Sequence, residues 1–132
     1  MAEVGSVDVE LELIGWLQAR LGTDVVVRDE LDSNLLSELP TVQVQVVGGS
    51  DDGFRLDRPL VDIDIYHATR GDAIALAARV HSLLLTNLRG STTTRAVFGL
   101  VGAISRPAPR PYENTALRRV GGTYEIYCHP VS

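Results

Sequence analysis

The side chains with the clearest capacity for chemistry lie in the last quarter of the chain, RPAPRPYENTALRRVGGTYEIYCHP at 106–130. Arginine offers a planar fork of five hydrogen-bond donors, and tyrosine offers a large rigid contact with a polar tip. A proline-spaced loop with these residues ahead of an alternating strand predicts a protein-docking surface. Its candidate residues are Arg106, Arg110, Tyr112, Asn114, Arg118 and Arg119. The alternative is an ordinary strand connection with solvated arginines.

The same loop offers a weaker case for nucleic-acid binding. Four arginines and Glu113 give residues 105–120 a net charge of +3, but the whole chain carries −5. A nucleic-acid-binding domain is normally basic overall. Contact with a protein is therefore the favoured use of the loop.

A second group consists of carboxylates around LVDIDIYH at 60–67. Asp62 and Asp64 alternate with apolar residues, so both fall on one face of a predicted strand. A hard cation needs several oxygen ligands that converge on one point, and an ordinary solvated strand face explains the pair more simply. The sequence predicts no metal site here and makes Asp62 and Asp64 candidate partners for an arginine of a neighbouring subunit.

No pattern of residues indicates catalysis. None of His67, His81 and His129 has a second histidine or a carboxylate three or four residues after it, and a catalytic triad needs a nucleophile, a histidine and an acid together. Cys128 and His129 are neighbours on a strand, so their side chains point to opposite faces. Without lysine, a Walker-type phosphate loop is impossible. The prediction is a non-enzymatic protein with no catalytic residue, metal or cofactor.

Two helices are predicted to support these residues. The first is capped by Asp8 and runs to Leu21, with Gly22 at its exit. The second runs from about Gly71 to Leu88 after a cap at or near Thr69. The buried faces follow from the 3.6-residue period. They are Val9, Leu13, Trp16, Leu17 and Leu21 in the first helix, and Leu76, Val80, Leu83, Leu84 and Asn87 in the second.

Strands are predicted at 24–28, 41–47, 60–67, 95–105 and 120–128. The order of helix, strands, helix and strands predicts an α+β fold, a mostly antiparallel sheet with two helices on one face. VGG at 120–122 predicts a bulge or a close backbone approach. The segment GGSDDG predicts a turn or mobile loop; its residues are Gly48, Gly49, Ser50, Asp51, Asp52 and Gly53.

Length and composition set further limits. At 132 residues the chain is predicted to form a single domain, 1–132. One cysteine allows no intramolecular disulfide and favours a reducing compartment. The acidic N-terminus does not resemble a signal peptide, and no apolar run approaches the roughly 20 residues that span a bilayer. No membrane partner is expected.

The charge is unevenly distributed along the chain. Residues 1–64 hold 14 acids and four arginines, a net charge of −10, whereas residues 65–132 hold three acids and eight arginines, a net charge of +5. If the fold keeps the halves apart, copies can associate head-to-tail, and such contacts make rings when they close. If sheet pairing interleaves the halves, the asymmetry averages out.

Three stretches, in this order, resemble the tail terminator (tail-completion) proteins of long-tailed bacteriophages. They are LIGWLQARLG at 13–22, LPTVQVQVVGGSDDGFRLDRPLVDIDIYHATRGDAIALAARVHSLL at 39–84, and PYENTALRRVGGTYEIYCHP at 111–130. The resemblance covers about residues 10 to 130 and depends on the order of the stretches, since no single motif is decisive. The small α/β architecture of that family agrees with the order of helices and strands predicted above.

The resemblance implies a structural role in the virion. Members form a ring, typically a hexamer, at the head-proximal end of the tail, after assembly in the host cytoplasm. The ring ends polymerisation of the major tail tube protein and gives the head–tail connector its docking surface. Genomic DNA passes through the lumen, which implies no specific DNA binding. Arg118 and Arg119 are then expected at subunit or tube contacts, some acids of the first half in the channel, and Gly48–Gly53 as a mobile loop at the tube or connector.

Two alternatives remain at this stage. One is another neck or connector-completion protein of the head–tail junction. The other, from a different class, is a small intracellular module that binds a ligand in a cleft beside the sheet.

Overall fold

The computed structural model describes residues 7–53 and 56–131, and these residues form one five-stranded sheet with two α-helices. The elements follow in the order α1 (Val9–Leu21), β1 (Val26–Arg28), a 3₁₀ turn (Leu35–Ser37), β2 (Thr41–Asp51), β3 (Asp57–His67), α2 (Arg70–Ser82) with a π-helical continuation (Leu83–Leu88), β4 (Ala96–Arg110) and β5 (Arg118–Pro130).

The sheet has the strand order β1-β2-β3-β5-β4. The short strand β1 runs parallel to β2, and the other neighbouring pairs are antiparallel. The α+β class with a mostly antiparallel sheet is therefore confirmed. Both helices share one apolar core with the same sheet face, to which β2, β3, β4 and β5 contribute alternate residues.

Helix α1 begins and ends at the predicted residues. The Asp8 carboxylate accepts a hydrogen bond from the Leu11 amide at 3.1 Å, which satisfies a donor that the first helical turn leaves free. Gly22 follows the last helical residue with a positive φ of 86°. All five residues predicted for its inner face are buried: Val9, Leu13, Trp16, Leu17 and Leu21.

Helix α2 has the predicted cap, since Thr69 Oγ1 accepts from the Asp72 amide at 3.2 Å. Its predicted inner face is partly wrong. The buried stripe consists of Ala73, Ala77, Val80, Leu84 and Leu88. Alanines let the helix backbone lie close to the sheet, so Leu76 and Leu83 are displaced to the half-buried flank and Asn87 is exposed.

The prediction of a proline-spaced loop is wrong for residues 106–110, which belong to strand β4. The strand continues to Arg110, and the connection to β5 is only residues 111–117. Proline lacks an amide donor and is tolerated on an edge strand. Because β4 is at the edge of the sheet, Pro107 and Pro109 fit there, beside register shifts between Ala103 and Ala108.

The prediction of a loop over Gly48–Gly53 is wrong for residues 48–51, which belong to strand β2. Gly48, Gly49, Ser50 and Asp51 belong to β2 and pair with Leu60, Pro59, Arg58 and Asp57 of β3. Among the described residues, only Asp52, Gly53 and Leu56 lie in the connection. Gly49 has φ of +125°, and a Cβ there would overlap the backbone of Arg58 and Pro59. The glycines therefore allow a close strand pairing across a bulge.

No helix in the described part of the chain is long and apolar enough to cross a membrane.

Candidate docking surface

A buried carboxylate organises the predicted arginine surface. Asp64 lies on β3, on the sheet face opposite the helices, and is 1% exposed. Arg119 approaches it with two donors, Nε to Oδ1 and Nη2 to Oδ2, both at 3.1 Å. Arg110 Nη1 lies 3.1 Å from the same Oδ1. Charge-assisted bonds of this kind are about twice as strong as neutral ones, and here they join β3, β5 and β4.

Gly121 creates the space for this network. It is the cross-strand partner of Asp64, and a Cβ on Gly121 would overlap Asp64 Oδ1 and lie 2.9 Å from Arg110 Nη1. The next residue, Gly122, would likewise place a Cβ 2.8 Å from the Ser105 carbonyl oxygen. The predicted close backbone approach at VGG is therefore confirmed.

A second, smaller core covers the same end of this outer face. Tyr66 contacts Tyr112 edge-to-face, with ring centroids 5.2 Å apart. Its hydroxyl donates to Gln43 Oε1 at 3.1 Å, and Gln43 Nε2 donates to the Asp29 carbonyl at 3.2 Å. Burial raises the pKa of Tyr66 to about 12. The apolar members of this core are Leu35, Tyr66 and Leu117, flanked by Leu31, Leu39 and Tyr112.

The structure divides the candidate interface residues into two groups. Arg110, Arg119 and Asp64 face one another, and the Asp64 hydrogen bond raises the pKa of Arg119. Arg118 and Asn114 are exposed. Arg118 donates to the Thr115 carbonyl at 3.2 Å, and Asn114 Oδ1 accepts from the Ala116 amide at 3.0 Å.

The expectation that Asp64 pairs with an arginine of a neighbouring subunit is wrong, and the same expectation for Asp62 stays a prediction. Asp64 is neutralised within its own chain, and half-buried Asp62 accepts a short hydrogen bond from Thr123 Oγ1. The sequence shows that both carboxylates share a face, but the residues that cover that face come from distant segments. The sequence also gives no signal for the hydrogen bonds of Gln43, because Gln43 and Gln45 occupy equivalent positions in an alternating strand.

A basic groove runs between α2 and the β4–β5 end of the sheet. It consists of two adjoining cavities of about 220 and 300 Å³, which share Pro109 and Val120 in their walls. Ile74, Ala78 and Pro107 add apolar surface to the first cavity. The basic side chains along the groove are Arg70, Arg106, Arg110, Arg118 and Arg119.

Arg70 and Arg106 differ from the two buried arginines. Both are exposed, and neither forms an ion pair with a described residue. Their charges are therefore available to a partner.

A hairpin arm with three aspartates and Arg58 lies at the opposite end of β3 from the groove. The arm is defined as the outer part of the β2–β3 hairpin, residues 45–53 and 56–60. Residues 45–51 of β2 are all exposed, including Val47 at 53%, so the core does not hold this part of the strand. Glu10 of α1 accepts from the Val46 amide at 2.8 Å. Burial raises the pKa of Asp57, and Asp51 and Asp52 are exposed.

The strand order keeps the two charged halves of the chain apart. The acidic half supplies α1, β1, β2 and most of β3, and the basic half supplies α2, β5 and β4. The halves meet at the β3–β5 seam, where Asp64 neutralises two arginines. The alternative in which sheet pairing interleaves them is therefore wrong.

Two further reactive side chains, His81 and Cys128, lie outside the Asp64 network. His81 Nδ1 lies 2.9 Å from the Tyr124 hydroxyl, and burial raises the pKa of the Cys128 thiol to about 12. Across residues 7–53 and 56–131, no group of three histidine, cysteine or acidic side chains is placed to hold a metal ion.

Comparison with known proteins supports the fold. No protein-family model matches the chain, and no curated protein matches it. A solved structure described as the virion of a native gene transfer agent (GTA) particle contains a similar chain. That chain is 20% identical, with a TM-score of 0.58, and the match covers 92% of this chain and 90% of that chain.

Proposed function

We propose that this protein is a structural protein of a phage-like virion and acts as a tail terminator. In this role it forms a ring, most simply a hexamer, at the head-proximal end of the tail. The ring stops addition of the major tail tube protein and presents a docking surface to the head–tail connector. No catalytic step or cofactor is part of the proposal.

The observation that carries the proposal is the likeness of almost the whole chain to a chain of the GTA virion. Similarity over 92% of this chain and 90% of the other concerns the complete fold and not a shared fragment. The three stretches that resemble tail terminators fall on α1, on β2 to α2, and on the 111–117 connection with β5. They include the arm and, from the Asp64 network, Asp64, Arg119 and Gly121.

The separated charges also support a ring. A ring needs two different complementary surfaces on each copy. The arm lies at the start of β3, and the groove lies beside the start of β5, which pairs with the opposite end of β3. Genomic DNA would pass through the lumen without specific binding, and a lumen lined by acids of the first half would not retain phosphates.

The interface residues take different roles in this proposal. Arg118 and Asn114 are exposed and serve as contacts with the next subunit or the tube. Arg110, Arg119 and Asp64 hold the strand ends that carry those contacts. Asp52 and Gly53, at the tip of the arm, remain candidates for movement when the tube or connector binds.

Tube growth tests the proposed function directly. Purified major tail tube protein is allowed to polymerise with and without this protein, and tube lengths are measured by electron microscopy. We expect substoichiometric amounts of the protein to arrest growth and to leave a ring at one end of each tube. Tubes of unchanged length, together with binding to isolated portals, would instead favour a neck protein.

A further inference from the structure

The basic groove carries more positive charge than the protein itself neutralises. Five arginines line its two cavities, and none of the described acidic side chains does. The buried Asp64 binds two of these arginines, so it offsets only one of the five charges. Arg70, Arg106 and Arg118 are exposed and form no ion pair with a described residue. The groove therefore attracts an anionic ligand.

The walls beside these charges are apolar. Ile74, Ala77 and Ala78 of α2 line the first cavity together with Pro107 and Val120 of the sheet. A phosphate backbone has no apolar group to place against such a wall, whereas an aliphatic side chain fits a cavity of about 220 Å³. Arginine clusters are a common means of recognising acidic peptide motifs. The combination favours an acidic peptide over a nucleic acid.

The groove has the length of a short extended segment. Arg70 lines the second cavity and His81 lines the first, and both belong to the helix Arg70–Ser82. A rise of 1.5 Å per residue between positions 70 and 81 gives about 16 Å. An extended chain advances about 3.3 Å per residue, so about five residues of a partner fit along the groove.

The acidic segments of this chain match the groove poorly. Within residues 28–32, Arg28 lies 3.0 Å from the Asp32 carboxylate, and the arm carries Arg58 among its aspartates. Each segment would therefore bring an arginine of its own to the arginines of the groove. An acidic segment of a different protein is the better match in charge.

We propose that the basic groove binds an extended acidic segment of a second protein, with an aliphatic side chain in the first cavity and carboxylates beside Arg70, Arg106 and Arg118. The inference goes beyond the ring of the proposed function, because it assigns a binding site and the chemistry of its partner. Only the presence of that partner in a virion rests on the proposed function.

A synthetic peptide tests the site on the purified protein. The probe is a dye-labelled seven-residue peptide with a central leucine and three glutamates on each side, and fluorescence anisotropy measures its binding. We expect saturable binding that weakens about tenfold when glycine replaces the leucine, since burial of one leucine side chain is lost.

Neutralised arginines test the charges of the same site. Arg70→Gln with Arg106→Gln should weaken binding of the leucine peptide about tenfold or more. Arg89→Gln with Arg95→Gln is the matched control, because both arginines are exposed and neither lines the groove. The control removes the same net charge and should change binding little.

Several outcomes would overturn the inference. They are no saturable binding of the leucine peptide, equal binding of the leucine and glycine peptides, or equal losses in the groove and control variants. Duplex DNA that binds more tightly than the peptide, and is released by Arg70→Gln with Arg106→Gln, would assign the groove to phosphates. Self-association lost through the same pair of substitutions would assign it to a second copy.

The tube-growth experiment keeps this inference separate from the proposed function. Peptide binding in the groove without arrest of tube growth would support the site and reject the terminator role. Arrest of tube growth by a protein that binds no peptide would support the terminator role and reject the site.

Discussion

At the level of single residues, the Asp64 carboxylate holds Arg110 of β4 and Arg119 of β5 in place. A buried carboxylate is tolerated only when it is paired and hydrogen-bonded, and here three donors from two arginines satisfy it. Arg110 and Arg119 are a cross-strand pair of β4 and β5, so their mutual repulsion is offset by the carboxylate between them. Arg106 and Arg118, which are exposed, are then the arginines of this segment that remain to contact a partner.

Removal of Arg119 should therefore destabilise the fold. Arg119→Met leaves Asp64 with Arg110 alone, and we expect a loss of about 2 kcal/mol in the free energy of unfolding, less than for a wholly unpaired buried charge. Denaturant unfolding measures this loss. Arg118→Met is the matched control, with an expected change within about 0.5 kcal/mol. Equal losses in the two variants would contradict the role given to Asp64.

Gly121 should tolerate no side chain. Gly121→Ala drives a Cβ into Asp64 Oδ1, so we expect destabilisation by about 3 kcal/mol from overpacking and loss of the ion pairs. The control Gly102→Ala adds a methyl group with nothing within 4 Å. Thermal unfolding of the two variants distinguishes them. A Gly121→Ala protein as stable as Gly102→Ala would show that the carboxylate does not occupy this space.

Tyr66 should make the fold sensitive to alkali. Its ordinary pKa of 10 rises to about 12 in the folded state through burial, so the unfolded chain loses this proton first. The stabilisation is complete below pH 10 and is lost as the pH rises through about 12. By pH 11 the folded protein should lose about 1 kcal/mol that Tyr66→Phe does not lose. Unfolding of both proteins at pH 9 and pH 11 measures the difference, and parallel losses would refute it.

At the level of elements, the sequence predicts helices better than strand ends. Asp8, Gly22 and Thr69 have local capping signals, and the structure confirms each one. Strand ends depend on non-local pairing, so the continuation of β2 through Gly48–Asp51 and of β4 through Pro107 and Pro109 was not predicted. Glycine and proline favour a loop when no partner strand is known.

The candidate site was predicted by residue type but not by arrangement. Arginine and tyrosine spacing identified the segment, and VGG identified the close approach. No local pattern shows that Asp64 and Arg119, 55 positions apart, form a pair. The second core over the outer face was missed because Leu35 and Leu117 lie in irregular segments without periodicity.

The arm should be the least protected part of the sheet. Residues 45–51 of β2 pair only with β3, because the pairing of β2 with β1 ends at Gln43, whereas Val42 and Val44 lie in the core. We expect amide hydrogens of 48–51 to exchange by local opening, far faster than those of 41–44. Hydrogen exchange with mass spectrometry measures both segments in one sample. Protection of 48–51 equal to that of 41–44 would show that the outer part of β2 is as stable as its inner part.

At the level of the whole molecule, the strand order converts a charge gradient along the sequence into a charge difference in space. A net charge of −10 in the first 64 residues and +5 in the rest becomes an acidic side and a basic side, joined at the Asp64 seam. Complementary surfaces of this kind steer association and set its register. They suit a protein that closes into a ring on an existing tube better than one that binds a small ligand.

The length of tails made without this protein tests the terminator role most directly. Particles are produced with its gene disrupted and again with the gene supplied in trans, and tail lengths are measured by electron microscopy. The account predicts overlong tails without attached heads in the first sample and tails of one length, joined to heads, in the second. Tails of normal length on complete particles in the absence of the protein would contradict it.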